Sequence, residues 1–385
     1  MSRFLFVVPP LAGHINPALS VAHAVAGRGH EVAWAGSEKF LRPLAGQSAT
    51  IYRTGLRLYR PQGERGFTAL KSLWESYLIP LARFTLPAVD TAVAEFQPDV
   101  LVVDQHAVAG AVIARKHGLR WATLAPTMME LARPYRSMPQ VTAWLNGLLA
   151  GLCSGAGVTP FDPLFSPHLV LSFLTEALTT GLPVPDGVVM AGPVFGGRPA
   201  GPEFPWEQLD PGRKKVLVTV GTLATDIAAD FYARMTEALE PLAGRVQAIL
   251  VGAPGGPAVG PGILALPRVP LLDLMPHLDA VVSHGGINTV CEALSHGVPL
   301  LLAPIRHDQP VVAAQVSAAG AGLRVHFSRA RPDELRSALA EIIWKRKFRT
   351  ASSRIMRSFV AAGGAGTAAE HLERVAAAPA SVPEG

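Results

Sequence analysis

The sequence predicts a doubly wound α/β protein of two halves facing each other across a cleft, on three observations. Short apolar runs alternate with helical stretches from Phe4 onward, and the same alternation restarts near Lys215. Between them lies GPVFGGRPAGPEFPWEQLDPGRKK, Gly192 to Lys215, dense in glycine and proline and without periodic apolar patterning. A chain of 385 residues is also long for one compact core and suits two.

In chain order, Phe4 to Val8 reads as a buried strand, followed by a loop through Asn16 and a helix opening at Pro17. Glu31 to Ala35 is the next strand, completing a β-loop-α-β unit. DVLVVD (Asp99 to Asp104), a helix from Ala109 to His117 and a strand at Trp121 to Leu124 continue the pattern. Val141 to Gly157 is apolar and broken by glycine, so it reads equally as the wall of a pocket or as core filler. Past the linker come KVLVTVGT, a helix over Ala228 to Ala243, VQAILVG, AVVSH, another helix and PLLLAP. The resulting division is an N-terminal domain over residues 1–198, a linker over 199–214, a C-terminal domain over 215–360 and a tail over 361–385 that can pack back on the first domain.

Composition narrows the class. Hydrophobic residues make up 49% and charged residues 16%, a balance that buries a core and does not resemble disorder. Cys153 and Cys291 stand far apart with no paired spacing, so neither a disulfide framework nor a metal site is expected, and a reducing cytoplasmic setting fits. FLFVVPP is too short for a secretory segment, and Asp104 and His106 interrupt the most apolar stretch, so no membrane span is expected. The net charge is +5, with basic residues at Arg53, Arg57, Arg60, Arg65 and Lys71 and in KRKFR from Lys345. No aromatic pattern interleaves them, which speaks for a solvated basic surface over a nucleic-acid partner and leaves peripheral membrane contact open. Oligomeric state is not legible.

The chemistry is concentrated in AVVSHGGINTVCEALSHGVPLLLAPIRHDQ, Ala280 to Gln309. A strand delivers His284, Gly285 and Gly286 into a helix whose first turn holds Asn288 and Thr289. Glycines allow close backbone approach, and the free N–H groups of a helix start favour a diphosphate. Glu292, a turn further on, is placed to accept from ribose hydroxyls, although a surface glutamate reads the same way alone. Asp308 and Gln309 follow the next strand, where an acid-amide pair suits sugar hydroxyls.

This segment resembles the donor signature of GT-B nucleotide-sugar glycosyltransferases, in the branch of antibiotic, macrolide and plant secondary-metabolite enzymes. HGG, Asn288-Thr289, Glu292-Ala293-Leu294, Gly297-Val298-Pro299 and Asp308-Gln309 occur in that family's order and spacing. The resemblance implies two Rossmann-like domains facing across a cleft, the first binding the acceptor and the second the nucleotide sugar. It further implies that His284 and Asn288-Thr289 hold the diphosphate, Glu292 the ribose, and Asp308 with Gln309 the transferred sugar. Gly221 and Thr222 resemble the family's opposing phosphate turn, and Arg268-Val269 its nucleobase platform, with arginine where an aromatic is common. UDP and TDP donors both remain open on that departure.

Gly13-His14-Ile15-Asn16-Pro17 and Arg28-Gly29-His30-Glu31-Val32 resemble the family's acceptor domain. An acceptor hydroxyl is a poor nucleophile near neutral pH, and His14, after the first strand, is suited to take its proton. Asp104, at the end of another strand, can orient that imidazole or merely cap a turn, and His106 nearby leaves the assignment open. No G-x-S-x-G, H-E-x-x-H or Walker motif is present, and PPLAGHINP lacks the glycines of a dinucleotide turn. The expectation is an inverting transferase using a UDP- or TDP-sugar and a small hydrophobic natural-product acceptor, with no metal or cofactor. The alternatives are a lipid or carotenoid acceptor at a membrane surface, a nucleotide-sugar 2-epimerase, and a non-catalytic sugar-nucleotide-binding protein.

Overall fold

Strands that are apolar throughout, such as VLVVD, cannot leave either face to water and must be covered by helices on both sides. In the computed structural model, which describes residues 1–59, 64, 66–197, 201–221, 228–252 and 262–378, they form two parallel sheets. The first contains β1 (Arg3–Val7), β2 (Glu31–Gly36), β3 (Thr50–Arg53), β4 (Val100–Asp104), β5 (Arg120–Ala125), β6 (Val170–Ser172) and β7 (Val188–Met190), ordered β3-β2-β1-β4-β5-β6-β7. The second contains β8 (Lys214–Thr219), β9 (Val246–Val251), β10 (Ile263–Leu266), β11 (Ala280–Ser283), β12 (Leu300–Leu302) and β13 (Gly322–Arg324), ordered β10-β9-β8-β11-β12-β13. Strand order reverses between β1 and β4 and between β8 and β11, and ligands of such folds sit outside the carboxyl ends of the strands at those reversals. This is the GT-B architecture.

Side-chain alternation splits each sheet's core in two. Phe4 and Phe6 face one side of the first sheet with Leu19, Trp34 and Leu124, while Leu5 and Val7 face the other with Trp74, Leu78 and Phe96. A third core spans the halves: Met128, Leu131, Leu174 and Leu178 pack with Leu294, Ile355 and Phe359. The halves therefore share buried apolar surface.

The helix Arg346–Ala362 ends at Gly363, whose φ of 82° is the left-handed turn that glycine takes without cost, and the last helix, Gly364–Ala377, starts there. That helix lies on the first domain. Ala368, Ala369, Leu372 and Val375 join the Phe4 and Phe6 core, and Glu373 Oε1 accepts from Arg28 Nε at 2.9 Å and meets His30 Nε2 at 2.9 Å. Leu372→Ala, at a fully buried position, should cost about 2–5 kcal/mol, read as a lowered midpoint in thermal unfolding.

Three sequence expectations meet the structure here. Val141 to Gly157 falls in a helix, Pro139–Gly155, which buries Leu145, Leu149, Leu152 and Cys153 in the first core. Pro17 does not open its helix: the helix runs Ala12–Gly27 and contains Pro17, so His14 lies in its first turn and not in a loop. Proline is tolerated there because it removes one helical hydrogen bond, to the Gly13 carbonyl, and that carbonyl finds another donor. Among the described residues, no helix is long and apolar enough to cross a membrane.

Candidate active site

β1 and β4 are neighbours, with Val7 opposite Val103, so the residues that follow them meet at the strand-order reversal. His14 Nδ1 lies 2.8 Å from Asp104 Oδ1 and 2.9 Å from Oδ2, and Asp104 is fully buried. A buried carboxylate needs donors. His14 supplies one, and the His106 backbone N–H supplies the other, to Oδ1 at 2.8 Å. Asp104 thus caps its turn and holds the imidazole at once. With Nδ1–H given to the carboxylate, Nε2 keeps the lone pair.

Behind this pair lies a second one. The His106 ring stacks on His14 with centroids 4.5 Å apart, and its Nε2 is 3.1 Å from Glu130 Oε1. Glu130 is 1% exposed and accepts a hydrogen bond from the Thr127 hydroxyl. Burial pushes the Glu130 carboxyl up, but the His106 imidazole and Thr127 outweigh it and hold it at about 2. His106 is lowered by burial and raised more strongly by Glu130, Asp104 and Asp308, so its net shift is upward. Nothing in the sequence singles out Glu130 as a site residue. Its only local signal is the Thr127-x-x-Glu130 spacing of a capping box.

Across the cleft, Gly285 adopts φ 87° and Gly286 precedes the helix Ile287–Ser295, whose start has no side-chain cap. Gly221 (φ 75°) ends the adjacent β8 turn. A Cβ on Gly221 would lie 2.6 Å from His284 Cε1, and one on Gly286 would lie 2.7 Å from Nε2, so the imidazole is wedged between two bare backbones. Burial, then Arg306, holds His284 at about 4. It is a neutral hydrogen-bonding group near pH 7.

Asn288 Nδ2 donates to the Gly13 carbonyl at 3.1 Å, the acceptor that Pro17 leaves free. The helix expected to hold the diphosphate thus touches the residue before His14. Thr289 is half-buried in the same turn, and Glu292 is buried one turn on. Arg268 is exposed after β10, Val269 packs against the C-terminal core, and Thr222 lies outside the described residues.

The sugar-side pair is placed differently from its neighbours. Gln309 Oε1 accepts from the Ile305 and Arg306 N–H groups, each at 2.9 Å, and so braces its own loop. Asp308 faces the first domain, where the Met128 backbone N–H bonds its carboxyl; burial, then Glu130, pushes it up to about 6. His307 takes a left-handed φ of 56° and reaches the Tyr59 hydroxyl at 3.4 Å. Beside His106 a narrow groove opens, lined among others by Val8, Pro10, Thr54, Leu81 and Val89. Among the described residues, no cluster of three or more His, Cys, Asp or Glu could hold a metal.

The chain is similar to known proteins over most of its length. A family model described as erythromycin biosynthesis protein CIII-like, C-terminal domain, matches residues 253–374. The chain is 28% identical over 411 residues to demethyllactenocin mycarosyltransferase of Streptomyces fradiae, covering 97% of this chain and 86% of that one. It is 26% identical to 4'-demethylrebeccamycin synthase of Lentzea aerocolonigenes, covering 94% and 96%. Among solved structures, the calicheamicin glycosyltransferase CalG4 superposes with a TM-score of 0.80 at 21% identity, over 98% of this chain and 100% of that one. Glycosyltransferase VinC, solved in complex with DTDP, gives 0.78 at 21% identity over 97% and 99%. Over nearly its whole length the chain is similar to named antibiotic glycosyltransferases and shares the GT-B fold of the solved ones, and it is a glycosyltransferase.

Proposed function

We propose that the protein is an inverting, metal-independent transferase that moves a sugar from a UDP- or TDP-sugar to a hydroxyl of a hydrophobic natural-product acceptor. The observation that carries this is the meeting of the His14–Asp104 pair with the start of the Ile287–Ser295 helix, through the 3.1 Å Asn288 to Gly13 hydrogen bond. His14 Nε2 takes the acceptor hydroxyl proton as that oxygen attacks the anomeric carbon. The carbon's bond to the diphosphate oxygen breaks on the opposite face, and its electron pair leaves with the nucleoside diphosphate. Backbone N–H groups after Ser283, the helix dipole and the neutral His284 receive that charge, an electrostatic role that asks for no metal. The groove beside His106, with Val8, Pro10, Leu81 and Val89 among its lining, offers apolar contacts to such an acceptor. The related mycarosyltransferase, and the structural neighbour solved with DTDP, favour a TDP-sugar.

The test is incubation with TDP- and UDP-sugars and a panel of hydroxylated polyketides in the presence of EDTA. The expected product carries the anomeric configuration opposite to the donor, by NMR coupling constants, at a rate EDTA does not change. A retained configuration, or a rate that EDTA removes, overturns the proposal. Donor alone should come back unepimerised.

A further inference from the structure

We infer that Glu130 and His106 form a second imidazole–carboxylate pair that positions His14, fixing the plane of its ring and opposing positive charge on it before the acceptor proton arrives. This rests on His14 being the base.

Asp104 bonds the edge of the His14 ring, through Nδ1 alone, and leaves its faces unheld. His14 sits on the first turn of a helix that begins without a side-chain cap, next to Gly13 and three residues before Pro17. The His106 ring covers one face at 4.5 Å with only 31° between the planes. The His106 backbone N–H bonds Asp104, and its ring is flanked by the Glu130 carboxylate, Oε1 in ion-pair contact 3.1 Å from Nε2, and by the edge-on Trp74 ring, centroids 6.3 Å apart. Both members of the pair are buried, at 6% and 1% exposure, in a chain where most ion pairs are at the surface. A buried ion pair is weak evidence for stability, which makes a functional role the better account of its presence. The groups facing His106 are Asp104 on its own turn, His14 from the first helix, Glu130 from the helix Met128–Ala132, and Asp308 and His307 from the other domain.

The experiment uses His106→Phe, which keeps a flat ring without charge, and Glu130→Gln, which keeps shape and removes the carboxylate. Both are compared with the native enzyme and with His14→Ala, after nucleotide titration confirms that each variant binds TDP. The expected result is an acidic limb of kcat/KM moved upward by roughly one pH unit in both variants, with kcat at pH 7 down about tenfold and donor KM within about twofold. A lowered rate with an unmoved limb means that the pair only supports the fold, and overturns the inference while leaving His14 as base. If His14→Ala retains transfer, the base assignment itself fails, and this inference with it. Should neither His106→Phe nor Glu130→Gln fold, imidazole nitrogen NMR on the native enzyme decides: His106 protonated on both nitrogens at pH 7 supports the pair, and a neutral tautomer overturns it.

Discussion

Replacing His14 by alanine should lower kcat by roughly 10²–10⁴-fold while the affinity for TDP or UDP stays within about twofold. The split follows from where the contacts lie. His14 meets Asp104 and His106, all in the first domain, whereas the proposed donor cradle of Gly221, His284, Gly285 and Gly286 lies in the second. The bond from Asn288 to the His14 side uses the Gly13 backbone carbonyl, which the substitution leaves in place. Initial rates paired with titration calorimetry measure both quantities. Near-native kcat would remove His14 as the base, and a parallel loss of nucleotide affinity would make its role structural.

Asp104→Asn should cost nearly as much, about 10²–10⁴-fold in kcat, although it changes one atom type. Both carboxylate oxygens lie on His14 Nδ1, at 2.8 and 2.9 Å, and Oδ1 also accepts from the His106 N–H at 2.8 Å. An amide cannot satisfy that arrangement. With its oxygen at the Oδ1 place, the NH₂ faces Nδ1–H; reversed, the NH₂ faces the His106 N–H. The imidazole escapes by moving its proton to Nε2, the nitrogen that must be free to accept from the acceptor hydroxyl. Steady-state kinetics and imidazole NMR check the two halves of this prediction. A variant with unchanged kcat would show that the carboxylate only caps its turn.

The strands were legible because their signal is local. RFLFV and VLVVD are apolar throughout, as strands covered on both faces must be, and the glycines of SHGGIN mark a strand-to-helix turn without reference to anything distant. The start of the first helix was not legible, because proline normally opens a helix. Here Pro17 sits inside one, tolerated because the Gly13 carbonyl it leaves free accepts from Asn288, 275 residues beyond Gly13. Asp308 and Gln309 were legible as residue types that suit sugar hydroxyls; which protein groups they meet, the Met128 amide for one and the Ile305 and Arg306 N–H groups for the other, was decided by the fold.

By itself the sequence determined the two parallel sheets, the glycine-lined helix start after β11 and the residue types available at each strand end, since period and backbone freedom are properties of neighbouring residues. Only the tertiary structure decided that His14 and Asp104, 90 residues apart, share a hydrogen bond, that His106 and Glu130 stand behind them, and that Asn288 closes on Gly13 from the other domain. Which strands become neighbours is set by how their crossover helices pack on the shared cores. A buried charge finds its partner through that packing, at a distance along the chain that no local pattern records.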